Sequence, residues 1–311
     1  MRSYRAVSLL TTVLAAGMAT TLAVAPAFAV TAPLTHPTVI AHFDVATKQQ
    51  PENITVEPNG SADVTFSRAR QIAHIDKDGK VTVLATLPAP TTGTASASGI
   101  VRTSDGTLYV NYNAGANSGI YRLRPGGTPE RIASLPDIGA LNGLALDQKT
   151  GTLYATDSQK GGVWRISLKT GEVGLWASGE QFDAGTAGYG SNGIKVHNGA
   201  VWVGNTSQGT LTRVPIRANG SAGAFTTEAT GLSGMDDFAF TGKGDTVLAA
   251  ANVASEVYLV KPDGTHTTVL TSADGLSNPT SVAVRGNTAY IASGAYFTAK
   301  DPNLLEAQIA H

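Results

Sequence analysis

Asn142-Gly143-Leu144-Ala145-Leu146 is followed by the turn Lys149-Thr150-Gly151, then by Leu153-Tyr154-Ala155, Val163-Trp164-Arg165-Ile166 and Val173-Gly174-Leu175-Trp176. Short apolar and β-branched runs punctuated by Gly-, Asn- and Asp-rich turns describe antiparallel strands joined by hairpins. The opening motif recurs, each time with a small or polar residue ahead of it. The other copies are Glu52-Asn53-Ile54-Thr55-Val56, Ser98-Gly99-Ile100-Val101, Asn192-Gly193-Ile194-Lys195-Val196, Asp236-Asp237-Phe238-Ala239-Phe240 and Thr280-Ser281-Val282-Ala283-Val284. The six copies are separated by 46, 44, 50, 44 and 44 residues.

Four short strands in a unit of about 45 residues is the pattern of a propeller blade. A β-sandwich has no reason to keep equal spacing, and a β-helix repeats at about half this period or less. The sequence therefore predicts an all-β, six-bladed β-propeller with four antiparallel strands per blade and little helix. The last unit holds only three candidate strands, at Ser281 to Val284, Thr288 to Ala292 and Leu304 to Ile309. The segment Thr38 to Asp44 supplies the fourth, so the ring is expected to close through the N-terminal strand in the last blade, leaving no open sheet edge there.

Ahead of the repeats, Arg2 and Arg5 precede an apolar run from Val7 to Val24, and Ala27-Phe28-Ala29 forms a small-residue cleavage site. Residues 1–29 read as a secretory signal peptide and 30–311 as a single propeller domain. The expected product is secreted and extracellular, a monomer with no membrane contact after signal cleavage. Lys and Arg number 22 against 23 Asp and Glu. That balance supplies no basic surplus for a phosphate backbone and excludes nucleic acid as a partner. The chain has no Cys, which removes disulfides, thiolate metal sites and cysteine nucleophiles.

In a blade whose first strand lines the central channel, the residue opening that strand lies at the channel mouth. Six positions thus converge there: Glu52, Ser98, Asn142, Asn192, Asp236 and Thr280. Two carboxylates in a partly dry channel raise each other's pKa unless a cation lies between them. Carboxylate and carboxamide oxygens suit Ca²⁺ or Mg²⁺, with Mn²⁺ or Zn²⁺ less favoured. Asn-Gly pairs and strand-opening Asp also occur for turn chemistry alone. Ser98, an uncharged member, is assigned to a small-molecule substrate.

On these blade-opening residues the chain resembles the senescence-marker-protein and gluconolactonase family, the regucalcin-like six-bladed propellers. The resemblance implies that Glu52, Asn192 of Ser191-Asn192-Gly193 and Asp236 of Met235-Asp236-Asp237 bind a divalent metal, and that Asn142 faces the substrate. The family's Glu-Gly-Pro is here Glu52-Asn53-Ile54, and its Pro-Asp-Gly is Met235-Asp236-Asp237. Both changes alter the wall of the site and delete no ligand. The resemblance implies a metal-dependent hydrolase of lactonase type, acting on a sugar lactone or related small cyclic ester, with Asp236 as the catalytic base. The alternative is a non-enzymatic ligand- or protein-binding propeller, since the repeats also resemble NHL-type and strictosidine-synthase-like chains.

Two other signals fall away. Gly188-Tyr189-Gly190-Ser191-Asn192-Gly193 matches G-x-G-x-x-G but leads into a strand pattern, so no dinucleotide site is expected. The six His residues show no metal-ligand spacing and are expected beside outer strands or turns, while Trp164, Trp176 and Trp202 are expected to pack between blades.

Overall fold

Each repeated motif folds as the innermost strand of a four-stranded antiparallel blade. These first strands are Pro51–Val56, Ser96–Arg102, Leu141–Asp147, Ser191–His197, Met235–Phe240 and Pro279–Arg285. The second strands, Ala62–Phe66, Leu108–Asn113, Thr152–Asp157, Ala200–Asn205, Val247–Ala251 and Thr288–Ser293, return antiparallel beside them. The computed structural model describes residue 1 and residues 33–90, 93–135, 137–186 and 188–310. Apart from Met1, the leader expected over residues 1–29 falls outside these residues.

Six sheets of four strands make up the ring, and helix among the described residues is confined to three short 3₁₀ turns. In the sixth sheet the N-terminal strand Leu34–His42 pairs with Asn303–Ile309, outside Thr288–Ser293 and Pro279–Arg285. The two ends of the chain thus meet in one blade, as the strand count requires.

The core lies between blades. Each of six buried apolar clusters joins residues of two neighbouring blades, the sixth joining Ile54, Val64 and Phe66 of the first to Tyr290, Ala292 and Leu304 of the last. Trp202 lies in the cluster between blades four and five. Trp176 stacks edge-on to Tyr154 at 4.9 Å and donates its indole N–H to the carbonyl of Gly220 at 2.8 Å.

Every first strand is interrupted at the repeated position. The register shifts fall at Pro51/Asn53, Ala97/Ile100, Leu141/Leu144, Ser191/Ile194, Met235/Phe238 and Pro279/Ser281. A bulge bends the strand and re-aims the side chain it carries. It also brings adjacent first strands close together, which explains the Asn-Gly pairs. A Cβ on Gly143 would lie 2.4 Å from the Asn192 carbonyl oxygen, and one on Gly193 would lie 2.5 Å from Asp237 Cα. These glycines permit close strand approach within the ring, whereas a turn reading of Asn-Gly places them in hairpin tips.

Candidate functional site

The bulges build two polar layers. At the mouth, burial pushes the Glu52 carboxyl up to about 7. Tyr296 donates its hydroxyl to Glu52 Oε2 at 2.5 Å and Arg68 lies nearby, both opposing that rise, while the charge of Asp237 adds to it. Arg68 also stacks its guanidinium over the Tyr296 ring at 5.2 Å. Burial raises Asp236 well above the usual carboxylate range, and the charges of Glu52 and Asp237 push it the same way. The amides of Asn192 and Asn252 oppose the shift, Asn252 Nδ2 donating to Asp236 Oδ2 at 3.1 Å. Asn192 is fixed in turn by its bond to Thr206 Oγ1 at 2.8 Å, whose hydroxyl donates to the Met235 carbonyl at 2.7 Å.

One residue further along each first strand, the second layer is already neutralised. Asp237 receives the Lys195 ammonium on both oxygens, at 2.6 and 2.7 Å, and further bonds from Asn53 Nδ2 at 3.0 Å and Ser281 Oγ at 2.8 Å. Three blades beyond its own therefore contribute to holding Asp237. The opening residues by themselves do not mark this layer. Its signal was present in the position after each opener, where Asn53, Asp237 and Ser281 stand at the same repeat spacing as Glu52, Asp236 and Thr280.

The structure brings Glu52, Asn192 and Asp236 together around one opening. Asn142 sits on the same ring, half-buried, with its carbonyl accepting from Asn111 Nδ2 at 2.8 Å. Ser98 is buried, and its hydroxyl donates to the Leu141 carbonyl at 2.9 Å. That bond ties blade two to the strand that carries Asn142. Thr280 is likewise engaged across the closing seam, donating to the Pro51 carbonyl at 3.0 Å. Two of the six openers thus join blades, and the polar groups left at the mouth belong to the other four.

An oxygen-rich set of two carboxylates and a carboxamide, in which burial and mutual repulsion hold both acids protonated more readily than in water, fits a hard divalent cation. Such an ion would replace the two protons with one double charge. The adjacent Asp237 offers the contrast, because Lys195 already supplies its counter-charge.

A second titratable group lies at the opposite ends of the strands, between blades one and two. His74 Nδ1 is 3.0 Å from Asp63 Oδ1 and 3.8 Å from Glu57 Oε1. Arg102 Nε approaches Glu57 at 3.5 Å and Asp63 at 3.9 Å, beside a cavity of about 390 Å³. The linear spacing of the histidines gives no hint of this cluster, since it arises from strand ends of two different blades.

A family model described as a repeat of unknown function matches residues 59–233, more than half of the chain. No curated protein matches. Among solved structures, the chain is similar to regucalcin, a calcium-binding protein of Agrobacterium tumefaciens, at 16% identity over 88% of this chain and 96% of that one, with a TM-score of 0.67. It is similar to a gluconolactonase of Xanthomonas campestris at 16% identity over 92% and 99%, with a TM-score of 0.65. A catalytically inactive virginiamycin B lyase of Staphylococcus aureus, solved with quinupristin, matches at 16% identity over 88% and 100%, with a TM-score of 0.60. At these identities the likenesses establish the shared propeller fold.

Proposed function

We propose that this chain, which belongs to the DUF6923 family of repeats of unknown function, is a secreted, metal-dependent hydrolase of lactonase type acting on a small cyclic ester, sugar lactones among them. The observation that carries this reading is the convergence of Glu52, Asn192 and Asp236 on one opening, with both acids raised by burial and no basic side chain paired to Asp236 among the described residues. The gluconolactonase and regucalcin neighbours support it through the shared fold and the calcium-binding description of one of them.

Glu52, Asn192 and Asp236 would hold the ion, Ca²⁺ foremost. Bound there, a divalent cation supplies Lewis-acid polarisation of the ester carbonyl. The chain's own residues do the rest. Asp236, kept in place by the Asn192 and Asn252 amides and raised above the ordinary carboxylate range by burial, takes the proton from the attacking water. Tyr296, whose own pKa burial and the nearby Glu52 charge lift well above its ordinary value, stays protonated and orients Glu52. Asn142 offers its side-chain amide to the substrate, and Ser98 holds the neighbouring Leu141 in register.

The described histidines are placed elsewhere. His74 and His197 stand at the far ends of their strands, and His42 pairs with Asp301 on the outermost strand of blade six. Acid–base work at the mouth therefore falls to carboxylates, which favours ester hydrolysis by a carboxylate base over a histidine-dependent reaction. The test is metal analysis of the purified protein together with a pH-indicator screen of lactones with and without Ca²⁺. Asp236→Asn should keep the far-ultraviolet circular dichroism of the wild type and lose turnover. Full activity in that variant overturns the assigned role, and a metal-free protein that turns over no lactone supports the binding-propeller alternative.

A further inference from the structure

Few large apolar side chains are exposed among the described residues of the ring, and their placement is uneven. Val83, Leu84 and Leu175 lie on outer strands, where single exposed hydrophobics are ordinary. Val253 at 68% exposure and Phe297 at 69% are the most exposed of the set, and both stand on loops at the mouth. Val253 follows Asn252, the residue that bonds Asp236. Phe297 follows Tyr296, the residue that bonds Glu52. Each apolar side chain is thus one residue away from a group that fixes a mouth carboxylate.

The two loops are clamped together. Asn278, buried at 2% exposure, donates from Nδ2 to the Asn252 carbonyl at 3.1 Å and accepts at Oδ1 from the Phe297 and Thr298 amides, both at 2.9 Å. Its backbone N–H donates to Ser255 Oγ at 3.0 Å. Ser255, Asn278 and Ala295 all hold left-handed backbone, with φ of 54°, 51° and 50°. Such a conformation is unfavourable for residues other than glycine, so the surrounding bonds must enforce it. A loop pair held rigidly in a strained form, with its largest apolar side chains facing solvent beside buried acids, is pre-organised to receive something apolar.

We infer that Val253 and Phe297 form a preset apolar wall beside the carboxylates, and that the substrate is a lactone carrying a hydrocarbon substituent, the substituent lying against this wall. The inference rests on the lactonase-type reading above. A polyhydroxylated ring set against Phe297 and Val253 would lose water from its hydroxyls with no partner to replace it. An alkyl chain at the same place releases water from both surfaces.

The experiment compares δ-nonalactone with δ-gluconolactone on the full secreted chain in Ca²⁺. Wild type is expected to favour δ-nonalactone in kcat/KM. The preference should fall about tenfold in Phe297→Ser, the discrimination typical of losing one apolar contact surface. Leu175→Ser, on an outer strand, should keep the wild-type ratio. A preference for δ-gluconolactone, or a ratio unchanged in Phe297→Ser, overturns the apolar wall while leaving the hydrolase reading standing. Where neither lactone is turned over, the hydrolase reading fails, and calorimetric binding of δ-nonalactone decides the wall separately. Weaker binding to Phe297→Ser than to wild type supports it, and equal binding or none overturns it. A wild-type dimer in sedimentation that Phe297→Ser dissociates also overturns it, because the surface is then a protein interface.

Discussion

Metal-free protein should lose stability as the pH rises through the range in which Glu52 ionises. Glu52 has an ordinary pKa of 4.5 and is pushed up to about 7 in the folded chain, chiefly by burial. The folded state therefore binds this proton more tightly than the unfolded chain. The resulting stabilisation is fully present below pH 4.5 and is lost as the pH rises through about 7. A shift of that size corresponds to about 3 kcal/mol. Asp236, displaced in the same direction, adds to the loss. For a ring of this length about 3 kcal/mol is roughly 5 °C in Tm.

The measurement is thermal or urea unfolding of chelator-treated protein at pH 5 and pH 8, for wild type and Glu52→Gln. The variant cannot ionise, so the difference between the two proteins isolates this group from the other titrating residues. Glu52→Gln should be the more stable at pH 8, and its advantage should shrink or reverse at pH 5. Adding Ca²⁺ should stabilise wild type at pH 8 by about 2.7 kcal/mol at a hundredfold excess over Kd, and much less at pH 5, where protons compete for the same oxygens. Wild-type stability that holds level or rises relative to Glu52→Gln between pH 5 and pH 8 would refute the reasoning. The carboxyl would then be as well solvated in the ring as in the unfolded chain.

Other consequences follow from single contacts. Lys195→Met leaves Asp237 buried without its cation and should cost about 3 kcal/mol in urea unfolding, with Asp237→Asn on the same background restoring part of it. Tyr296→Phe removes a bond that lowers the Glu52 pKa, so the pH at which Ca²⁺ begins to stabilise the protein should move upward. Gly143→Ala forces a Cβ to within 2.4 Å of a backbone oxygen and should destabilise by about 2 kcal/mol or more, whereas Gly174→Ala, with open space around it, should be nearly neutral. Removal of residues 33–42 strips the outer strand from blade six and bares the edge of Asn303–Ile309, so aggregation on mild heating should rise, as measured by light scattering.

The ring was legible in the sequence because the motif spacing is a consequence of closure. Each blade must bury its apolar faces against its neighbours, and equal blades yield equal intervals. Even the borrowed strand could be read, since a sixth unit with three strands leaves one edge to cover. Glu52, Asn192 and Asp236 could be placed on one opening by the same logic. Their environments could not. Asp236 and Asp237 are chemically identical neighbours in the chain, and periodicity alone treats them as one polar step before Phe238. The bulge sends them to different layers, where Asp237 meets Lys195 and Asp236 meets two amides and another acid.

Under the proposed function, that divergence makes one acid structural and leaves its neighbour available for chemistry. Asp237 sits behind the mouth with its charge matched by an ammonium and its oxygens bonded from three other blades, so removing it would unpin the ring. Among the described residues Asp236 has no such counter-charge, and the amides of Asn192 and Asn252 hold it. Neutral donors fix position while leaving a carboxylate's basicity high, which is the combination a proton acceptor or an exchangeable cation site requires. The stability of the ring at this point and, under the proposed function, the reactivity of the mouth are carried by adjacent residues with opposite electrostatic partners. Exchanging their partners, by Lys195→Met together with Asn252→Lys, should pull the pKa of Asp236 down toward that of an ordinary paired carboxylate, as nuclear magnetic resonance titration of its side chain would show. An Asp236 that still titrates high with an ammonium placed beside it would mean that burial alone governs the site and that the choice of partners is incidental.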